Sequence, residues 1–272
     1  MTPPAIAAYR EDGIFADGVE RVRGWNARCI PNLFPAVSRD PGQVTGEWVA
    51  VSGRGGHEII IESPNHDKSP AGFSKVEMER MLEVYRDRYR EHMDAGAAYV
   101  SLFKNWGELA GASLRHTHSQ LISLPIVPPL LIRERRAIAD SPFCPYCHIV
   151  EREEASSRLV ASNRSWIQIA PFCSQVPYEI WILPRVHASS LIDLDRSRLA
   201  DLAEILGEAL RGLGQLLDDP PYNYMFFQLP GGYHMNLRIQ PVTTKMAGFE
   251  KNTGIFINPV PPEQAARELA DA

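Results

Sequence analysis

Two histidines and a glutamine alternate with other residues near the middle of the chain, at His116, His118 and Gln120. Because the chain continues into the apolar residues 121–125, we expect a strand here, and a strand directs these three side chains to one face. The loop before them, 110–113, consists of three small residues and a serine, so its backbone N–H groups can approach an anion closely. This combination favours phosphate chemistry at a histidine.

The competing interpretation is a chance match, with one histidine packed in the core and the other facing solvent, because short motifs often match by accident. The organisation of the whole chain decides between the two interpretations.

The composition is that of a globular protein with room for one large domain or two small ones. The chain has 272 residues, of which 44% are hydrophobic and 22% charged, and its net charge is -5. Because lysines and arginines form no dense cluster, neither nucleic acid nor a membrane surface is an expected partner. The N-terminus resembles no signal peptide, and no stretch is long enough to cross a bilayer, so we predict a cytoplasmic location.

Hydrophobic periodicity predicts an α+β chain. Residues 1–42 are rich in proline and glycine and predict loops around one short segment, 25–36. The elements predicted after it are the strands 46–51 and 57–62, the helix 73–93, the strand 97–103, the histidine strand and the helix 128–139. The charged residues 133–136 of that helix are predicted to be solvated surface.

The second half of the chain repeats the first. Glu58 and His66 recur as Glu179 and His187, each 121 positions later. The elements that follow in the same order are a helix at 196–217, a strand at 222–227 and a histidine strand from His234. An offset held across several elements indicates two copies of one supersecondary unit.

The differences between the two copies are informative. The residues of the first copy, His116, His118 and Gln120, are matched in the second by His234, Asn236 and Arg238. An asparagine cannot take up a phosphoryl group, so only the first copy is expected to be chemically competent. We therefore predict an N-terminal catalytic repeat at 1–140 and a C-terminal metal-binding repeat without the nucleophile at 141–272.

Four residues of the second repeat have the types and spacing of a zinc site: Cys144, Cys147, His187 and His234. Zinc prefers four tetrahedral nitrogen and sulfur ligands, and a two-residue gap lets one turn present both thiolates. A closed set of four ligands predicts a structural Zn²⁺.

A redox Cys-x-x-Cys pair is the alternative for the two cysteines. Against it, Pro142 and Pro145 predict a tight turn, with no thioredoxin-like helix start after it. By symmetry His66 and His116 should be half of a second metal site, but no matching cysteine pair precedes them. Either that site is empty or differently filled, or the sequence starts downstream of a natural N-terminus.

The stretch Phe103-Lys104-Asn105-x-Gly107, followed by residues 110–120, resembles the active-site strand of the galactose-1-phosphate uridylyltransferase family. This family is a duplicated branch of the histidine-triad superfamily and includes ADP-glucose and dinucleoside-polyphosphate phosphorylases. The similarity runs from Trp25 to the C-terminus. Other matching stretches are 30–36, 61–67, 143–147, 181–187 and 248–259.

The resemblance implies two tandem histidine-triad-like repeats, each with an antiparallel sheet flanked by helices. It also implies ping-pong transfer of a nucleotidyl group, in which His118 attacks the α-phosphorus of a nucleotide sugar. Gln120 would donate hydrogen bonds to the phosphoryl oxygens, while His116 would be a metal ligand that fixes the strand. Further donors around the phosphoryl group would come from Asn105, Gly111 and Ser113.

The same resemblance assigns substrate contacts. Asn32 would border the nucleotide, and Lys245, Phe249 and Glu250 would face the hexose of the nucleotide sugar or hexose 1-phosphate. The alternatives are a turn at Asn32 and a core aromatic at Phe249. Because the family is usually dimeric, a homodimer is an expected partner.

Three functions compete. The first is a UDP-glucose:hexose-1-phosphate uridylyltransferase. The second is an ADP-glucose or dinucleoside-polyphosphate phosphorylase, in which inorganic phosphate is the acceptor. Position 236 carries no histidine in this chain, and in this respect it resembles the phosphorylase branch of the family. The third is a nucleotide-binding zinc protein without turnover, which the incomplete first metal site would explain.

Overall fold

The structure is a computed structural model that describes residues 2–42 and 50–272. The strands among them are β1 (Ala7–Arg10), β2 (Gly13–Phe15), β3 (Ala27–Pro31), β4 (His57–Ile61), β5 (Tyr99–Trp106), β6 (His118–Leu124), β7 (Leu159–Ser162), β8 (Trp166–Ile169), β9 (Ile180–Pro184), β10 (Tyr222–Phe227) and β11 (Asn236–Pro241). The helices are α1 (Lys75–Asp94), α2 (Pro129–Ala139), α3 (Pro145–Glu153), α4 (Arg196–Leu217), α5 (Gly248–Thr253) and α6 (Pro262–Ala270).

The described strands form one antiparallel sheet in the order β2-β1-β3-β4-β6-β5-β10-β11-β9-β8-β7. Read outward from the central pair β5 and β10, the order β6-β4-β3 on one side matches β11-β9-β8 on the other. A long helix, α1 or α4, lies between the corresponding strands of each half. The predicted α+β fold with antiparallel pairing and flanking helices is confirmed, and the two halves share a single sheet. The boundary at residues 140 and 141 stays a prediction.

The register of the sheet corrects the predicted match between the two glutamates. Gln120 of β6 pairs with Ile59, and Arg238 of β11 pairs with Trp181. The strands β4 and β9 therefore correspond at an offset of 122, so Glu58 and Glu179 point to opposite faces of the sheet. Their equivalence, predicted from the offset of 121, is wrong by one position.

The helices α1 and α4 cover one face of the sheet. Ser74 begins α1 with a capping box, because its side chain accepts a hydrogen bond from the Glu77 N–H and the Glu77 carboxylate accepts one from the Ser74 N–H. Asp195 caps α4 by accepting a hydrogen bond from the Arg198 N–H. Apolar residues at helical spacing on both helices pack into one core with alternate strand residues.

The helices α2 and α3 pack on the opposite face, over the second half of the sheet. Leu131 of α2 and Tyr146 of α3 share a core there with Trp181. On the same face of the first half, Phe103 and Gln120 are only half-buried. The first half therefore has a partly accessible surface where the second half has a filled core.

Several predictions differ from the structure. The strands β1 and β2 lie in the proline- and glycine-rich region that predicted loops, and β7, β8, α3, α5 and α6 were not predicted. The predicted strand 46–51 falls mostly on residues 43–49, outside the described residues. α3 begins at Pro145, directly after Cys144, so the expected absence of a helix start is wrong. Proline is well tolerated in the first turn of a helix, where its missing N–H is not needed.

The predicted solvated face of α2 is right for its arginines and wrong for Glu134. Glu134 is half-buried and accepts hydrogen bonds from Tyr146, Tyr233 and Arg238. Within residues 2–42 and 50–272 none of the helices combines the length and hydrophobicity that crossing a bilayer requires.

The core under α4 provides a test of the fold. Leu206 is fully buried among the sheet and α1 residues, so we expect Leu206→Ala to lower the free energy of unfolding by ~2–5 kcal/mol, from lost transfer energy and the cavity. Leu130→Ala is the control, because Leu130 is 42% exposed on α2. Urea unfolding of both variants measures the difference, and equal stabilities would contradict the assigned core.

Candidate functional site

The imidazole of His118 is buried and held by a backbone carbonyl. β6 begins at His118, so His118 and Gln120 share a face. His116 precedes the strand in a bend, so the prediction that it lies on the same strand face is wrong. The Nδ1 of His118 lies 2.8 Å from the carbonyl oxygen of His116. Because a carbonyl only accepts, Nδ1 carries the proton and Nε2 keeps its lone pair.

Burial lowers the pKa of His118 below its ordinary value, and the positive charge of Lys104 adds to this effect. The hydrogen bond to the His116 carbonyl opposes it without reversing the direction. The ring is therefore neutral at neutral pH, as a nitrogen nucleophile must be.

Gln120 is oriented by a residue that the sequence did not single out. His57 of β4 places its Nε2 2.9 Å from the Gln120 Oε1, and its Nδ1 accepts a hydrogen bond from the Ala36 N–H at 3.1 Å. Since Nδ1 accepts, Nε2 carries the proton and donates to Gln120, which leaves the amide NH₂ of Gln120 free to donate. Only the pairing of β4 with β6, and not any local motif, identifies His57.

Asn32 lies beside the same histidine. Its Nδ2 is 3.4 Å from the His57 Nδ1, the nitrogen that accepts, and its Oδ1 accepts a hydrogen bond from the Phe34 N–H. Asn32 thus forms the turn that was its alternative assignment and also adjoins the Gln120 cluster.

The small-residue loop is held by the other half of the chain. The Asn223 Nδ2 donates at 2.8 Å both to the Asn105 Oδ1 and to the Ala110 carbonyl. Asn105 in turn lies 3.5 Å from the Gly111 carbonyl, and Gly111 adopts a φ of 86°, which favours glycine. The structure brings Asn105 and Gly111 together, and Ser113 lies exposed two residues further along the loop.

The equivalent pocket in the second half is filled. Asn236, at the position of His118, accepts a hydrogen bond from Arg238 Nε at 2.8 Å. The Arg238 guanidinium lies over the rings of Phe227 and Trp181, at 3.8 and 4.3 Å from their centroids, and it also bonds to Glu134. A packed arginine therefore occupies the space that is accessible beside Gln120.

The four predicted metal ligands of the second repeat converge. The ligand atoms of Cys144, Cys147, His187 and His234 all lie within 4.8 Å of one another. The Nε2 of His234 donates to the Pro184 carbonyl at 3.2 Å, which leaves its Nδ1 free to ligate, 3.4 Å from the Cys147 Sγ. This Cys₂His₂ group could hold a metal ion.

Burial shifts the pKa of two members of this group. Burial lowers the pKa of His234 to about 4, so this imidazole is neutral and available as a ligand. Burial and the neighbouring Cys144 raise the pKa of Cys147 to about 11. A reactive redox thiol has a lowered pKa, so this direction gives no support to a redox pair, and a metal ion would have to displace the Cys147 proton.

His66 and His116 form a similar pair in the first repeat. Their rings meet at 4.9 Å and 77°, close to the 4.8 Å and 68° of His187 and His234. His116 Nε2 donates to the Ser63 carbonyl at 2.7 Å, and the Nδ1 atoms of the pair are 3.0 Å apart. Among residues 2–42 and 50–272 no third histidine, cysteine or carboxylate ligand completes this group.

The residues predicted to contact the hexose form no hydrogen bond or ion pair with His118 or Gln120 within the described part of the chain. Lys245 and Phe249 are exposed, and Glu250 accepts a hydrogen bond from the Ala247 N–H at the start of α5. Phe249 is 49% exposed, so its alternative assignment as a core aromatic is wrong.

Known proteins resemble the chain over nearly its whole length. A protein-family model described as "Domain of unknown function (DUF4921)" matches residues 73–272. ADP-glucose phosphorylase from Arabidopsis thaliana is 34% identical over 91% of this chain and 74% of that protein. Galactose-1-phosphate uridylyltransferase from Thermotoga maritima is 28% identical over 98% of this chain and 91% of that protein.

Solved structures also resemble this chain. A uridylyltransferase structure matches with a TM-score of 0.88 and 31% identity, covering 94% of this chain and 87% of the other. The structure of an ADP-glucose phosphorylase from Arabidopsis thaliana with bound ADP-glucose matches with a TM-score of 0.85 and 29% identity, covering 100% of this chain and 87% of the other.

The support that Asn223 gives to the loop can be measured. We expect Asn223→Ala to speed amide exchange at 105–112 roughly tenfold, because two hydrogen bonds that hold this segment are lost. Asn258→Ala is the matched control, since Asn258 also donates to two carbonyls but at Ser174 and Val176. Hydrogen–deuterium exchange with mass spectrometry reports both, and unchanged exchange at 105–112 in Asn223→Ala would refute the support.

Proposed function

The chain belongs to the galactose-1-phosphate uridylyltransferase family, which includes ADP-glucose phosphorylase-like members, and we propose that it transfers a nucleotidyl group from a nucleotide sugar through a covalent adduct on His118. The chain is thus a nucleotidyltransferase. The observation that most directly supports such an adduct is the hydrogen bond from His118 Nδ1 to the His116 carbonyl. It leaves Nε2 unprotonated in a buried ring beside a half-buried amide donor.

The reaction proceeds in two displacements. The Nε2 lone pair attacks the α-phosphorus, the bond from that phosphorus to the bridging oxygen breaks, and hexose 1-phosphate leaves with the electron pair. In the second step a phosphate oxygen of the acceptor attacks the same phosphorus, and the phosphorus–nitrogen bond returns its electrons to His118. The imidazole needs no proton transfer in either direction.

Hydrogen-bond donors stabilise the charge that spreads over the phosphoryl oxygens. Gln120 supplies the amide NH₂ that its bond with His57 leaves free. The loop held by Asn105 and Asn223 supplies the Ser113 hydroxyl. The N–H of Gly111 donates to the Glu108 carbonyl at 2.9 Å, so Gly111 contributes close backbone approach to the phosphate rather than a donor. Asn32, next to His57, borders the nucleotide, and Lys245, Phe249 and Glu250 contact the hexose.

The principal candidate is UDP-glucose:hexose-1-phosphate uridylyltransferase. The second candidate is a phosphorylase that uses inorganic phosphate as the acceptor, with ADP-glucose as the donor. Its support is the asparagine at position 236, where the second half lacks a histidine matching His118, and the 34% identity to an ADP-glucose phosphorylase. The homodimer and the cytoplasmic location stay predictions.

We also propose that the Cys₂His₂ group binds structural Zn²⁺. Two thiolates and two imidazoles are the donors that zinc prefers, and four protein ligands close its tetrahedral shell. The ion would fasten the start of α3 to the segments that precede α4 and β11. His66 and His116 would be half of a second site.

The covalent adduct is tested by intact-mass spectrometry. With UDP-glucose or ADP-glucose alone, the protein should gain the mass of one uridylyl or adenylyl group, and His118→Asn should gain none. His148→Asn, at an exposed position of α3, is the control and should behave as the unmodified protein. Adding galactose 1-phosphate or inorganic phosphate should then discharge the adduct and identify the acceptor. An adduct on His118→Asn would rule out the proposed nucleophile.

The metal is tested by elemental analysis and thermal unfolding. We expect one zinc ion per chain at the Cys₂His₂ group, and Cys147→Ser should lose it and lower the free energy of unfolding by 2 kcal/mol or more, about 5 °C in Tm. Cys173→Ser, at an exposed cysteine outside this group, should keep both zinc and Tm. Full zinc retention by Cys147→Ser would contradict the assignment.

A further inference from the structure

We propose that the buried ion pair between Lys104 and Glu62 is a positioning device for the nucleophile, which clamps the backbone of residues 117–119 around His118. The inference rests on the proposed function, because it assigns a role in nucleotidyl transfer to residues that do not touch the substrate.

Lys104 is fully buried and uses all three of its N–H groups. Its Nζ donates to Glu62 Oε2 at 2.5 Å, to Thr117 Oγ1 at 2.9 Å and to the carbonyl oxygen of His118 at 2.9 Å. The third bond anchors the peptide of the nucleophile itself. A charged donor makes that bond stronger than a neutral one would be.

Glu62 accepts hydrogen bonds from the residues on both sides of the nucleophile. Its Oε2 accepts from Thr117 Oγ1 at 2.6 Å, and its Oε1 accepts from Ser119 Oγ at 2.5 Å and from the Tyr85 hydroxyl. Burial alone would raise the pKa of Glu62, but the Lys104 charge and these donors outweigh it and hold the pKa below its ordinary value. The carboxylate is therefore ionised and fully satisfied.

The second repeat shows that packing does not require these charges. The register pairs Phe103 with Gln120 in one half and Met225 with Arg238 in the other, which fixes the corresponding positions. The residues that match Lys104, Thr117 and Ser119 are Phe226, Met235 and Leu237, and all three are buried. The same frame thus packs as an apolar core in the half that has an asparagine in place of the nucleophile.

Burying a charged pair carries a desolvation penalty that an apolar substitute avoids. The chain nevertheless keeps the pair beneath His118 and nowhere at the matching positions of the second repeat. Displacing a nucleophile by about 1 Å can lower the rate of its attack by about 10²-fold. A rigid peptide at 117–119 would therefore increase the rate of adduct formation. We infer that the ion pair fixes where Nε2 stands relative to the α-phosphorus.

The test compares single and double apolar variants. Lys104→Met leaves the Glu62 carboxylate unpaired, so it should unfold at a lower temperature, whereas Lys104→Met/Glu62→Leu should recover most of that loss. The double variant should still form the nucleotidyl adduct about 10²-fold more slowly, with the KM for the nucleotide sugar changed less than kcat. If the pair only stabilises the fold, adduct formation will recover together with Tm, and the proposal is overturned.

A second buried ion pair in the same repeat provides the matched control. Arg88 and Glu58 lie 2.7 Å apart with side chains 4% and 3% exposed, but they join α1 to β4 and make no hydrogen bond to residues 116–120. Arg88→Met/Glu58→Leu should therefore form the adduct at nearly the rate of the unmodified protein. A rate loss equal to that of the Lys104/Glu62 double variant would also overturn the proposal.

Amide exchange separates this inference from the proposed function, because it needs no turnover. The Lys104/Glu62 double variant should exchange faster at 115–120 than the Arg88/Glu58 variant, with α4 unchanged. Should the double variant not fold, Thr117→Val replaces it, since valine keeps the shape but removes the hydroxyl that both members of the pair contact. Exchange and adduct rate unchanged in Thr117→Val would refute the clamp; an unmodified protein without any adduct would refute the proposed function instead.

Discussion

The antiparallel pairing of β5 with β10 is the contact on which the rest of the molecule depends. It places Asn223 opposite Asn105 and Tyr224 opposite Lys104, so that residues of the second half support the first. Asn223 holds the loop before the histidine strand, and the Tyr224 hydroxyl meets that of Tyr85 in the buried network. Because the halves share one sheet, the candidate active site depends on both.

The two halves use one frame for opposite purposes. In the first, the face of β6 that bears His118 and Gln120 is polar and partly accessible. In the second, Arg238 fills the same space and stacks on Trp181 and Phe227, beneath the helices α2 and α3. On the opposite face both halves are buried, with charged and polar side chains under His118 and apolar side chains under Asn236. The duplication therefore separates what the fold needs from what a nucleophile needs.

The sequence predicted the features that depend on local spacing. The periodicity of 73–93 and 196–217 predicted both long helices, and the Cys-x₂-Cys pair with two matched histidines predicted the converging Cys₂His₂ group. It could not predict features that depend on strand register. His57 meets Gln120, and Asn223 meets Asn105, only across strands that are far apart in the chain. For the same reason, the constant offset of 121 could not show that Glu58 and Glu179 differ by one position in strand register. The short strands β1 and β2, at one end of the sheet, lie among prolines and glycines, and so few residues leave little periodicity.

The backbone decides which histidine nitrogen is available, and this choice divides the histidines by role. In His118 the carbonyl of residue 116 occupies Nδ1, so Nε2, the more distant nitrogen, is free to reach outward to phosphorus. In His116 and His234 the carbonyls of Ser63 and Pro184 occupy Nε2, so Nδ1, the nitrogen nearer the backbone, is free. The free Nδ1 of His116 faces the His66 ring, and that of His234 faces the cysteine sulfurs. A carbonyl accepts from only one tautomer, and thus a single hydrogen bond sets both the protonation and the direction of each ring. His116 and His118, two residues apart and of identical chemistry in the sequence, thus present different nitrogens because each ring meets a different carbonyl, and this difference supports the separate roles proposed for them.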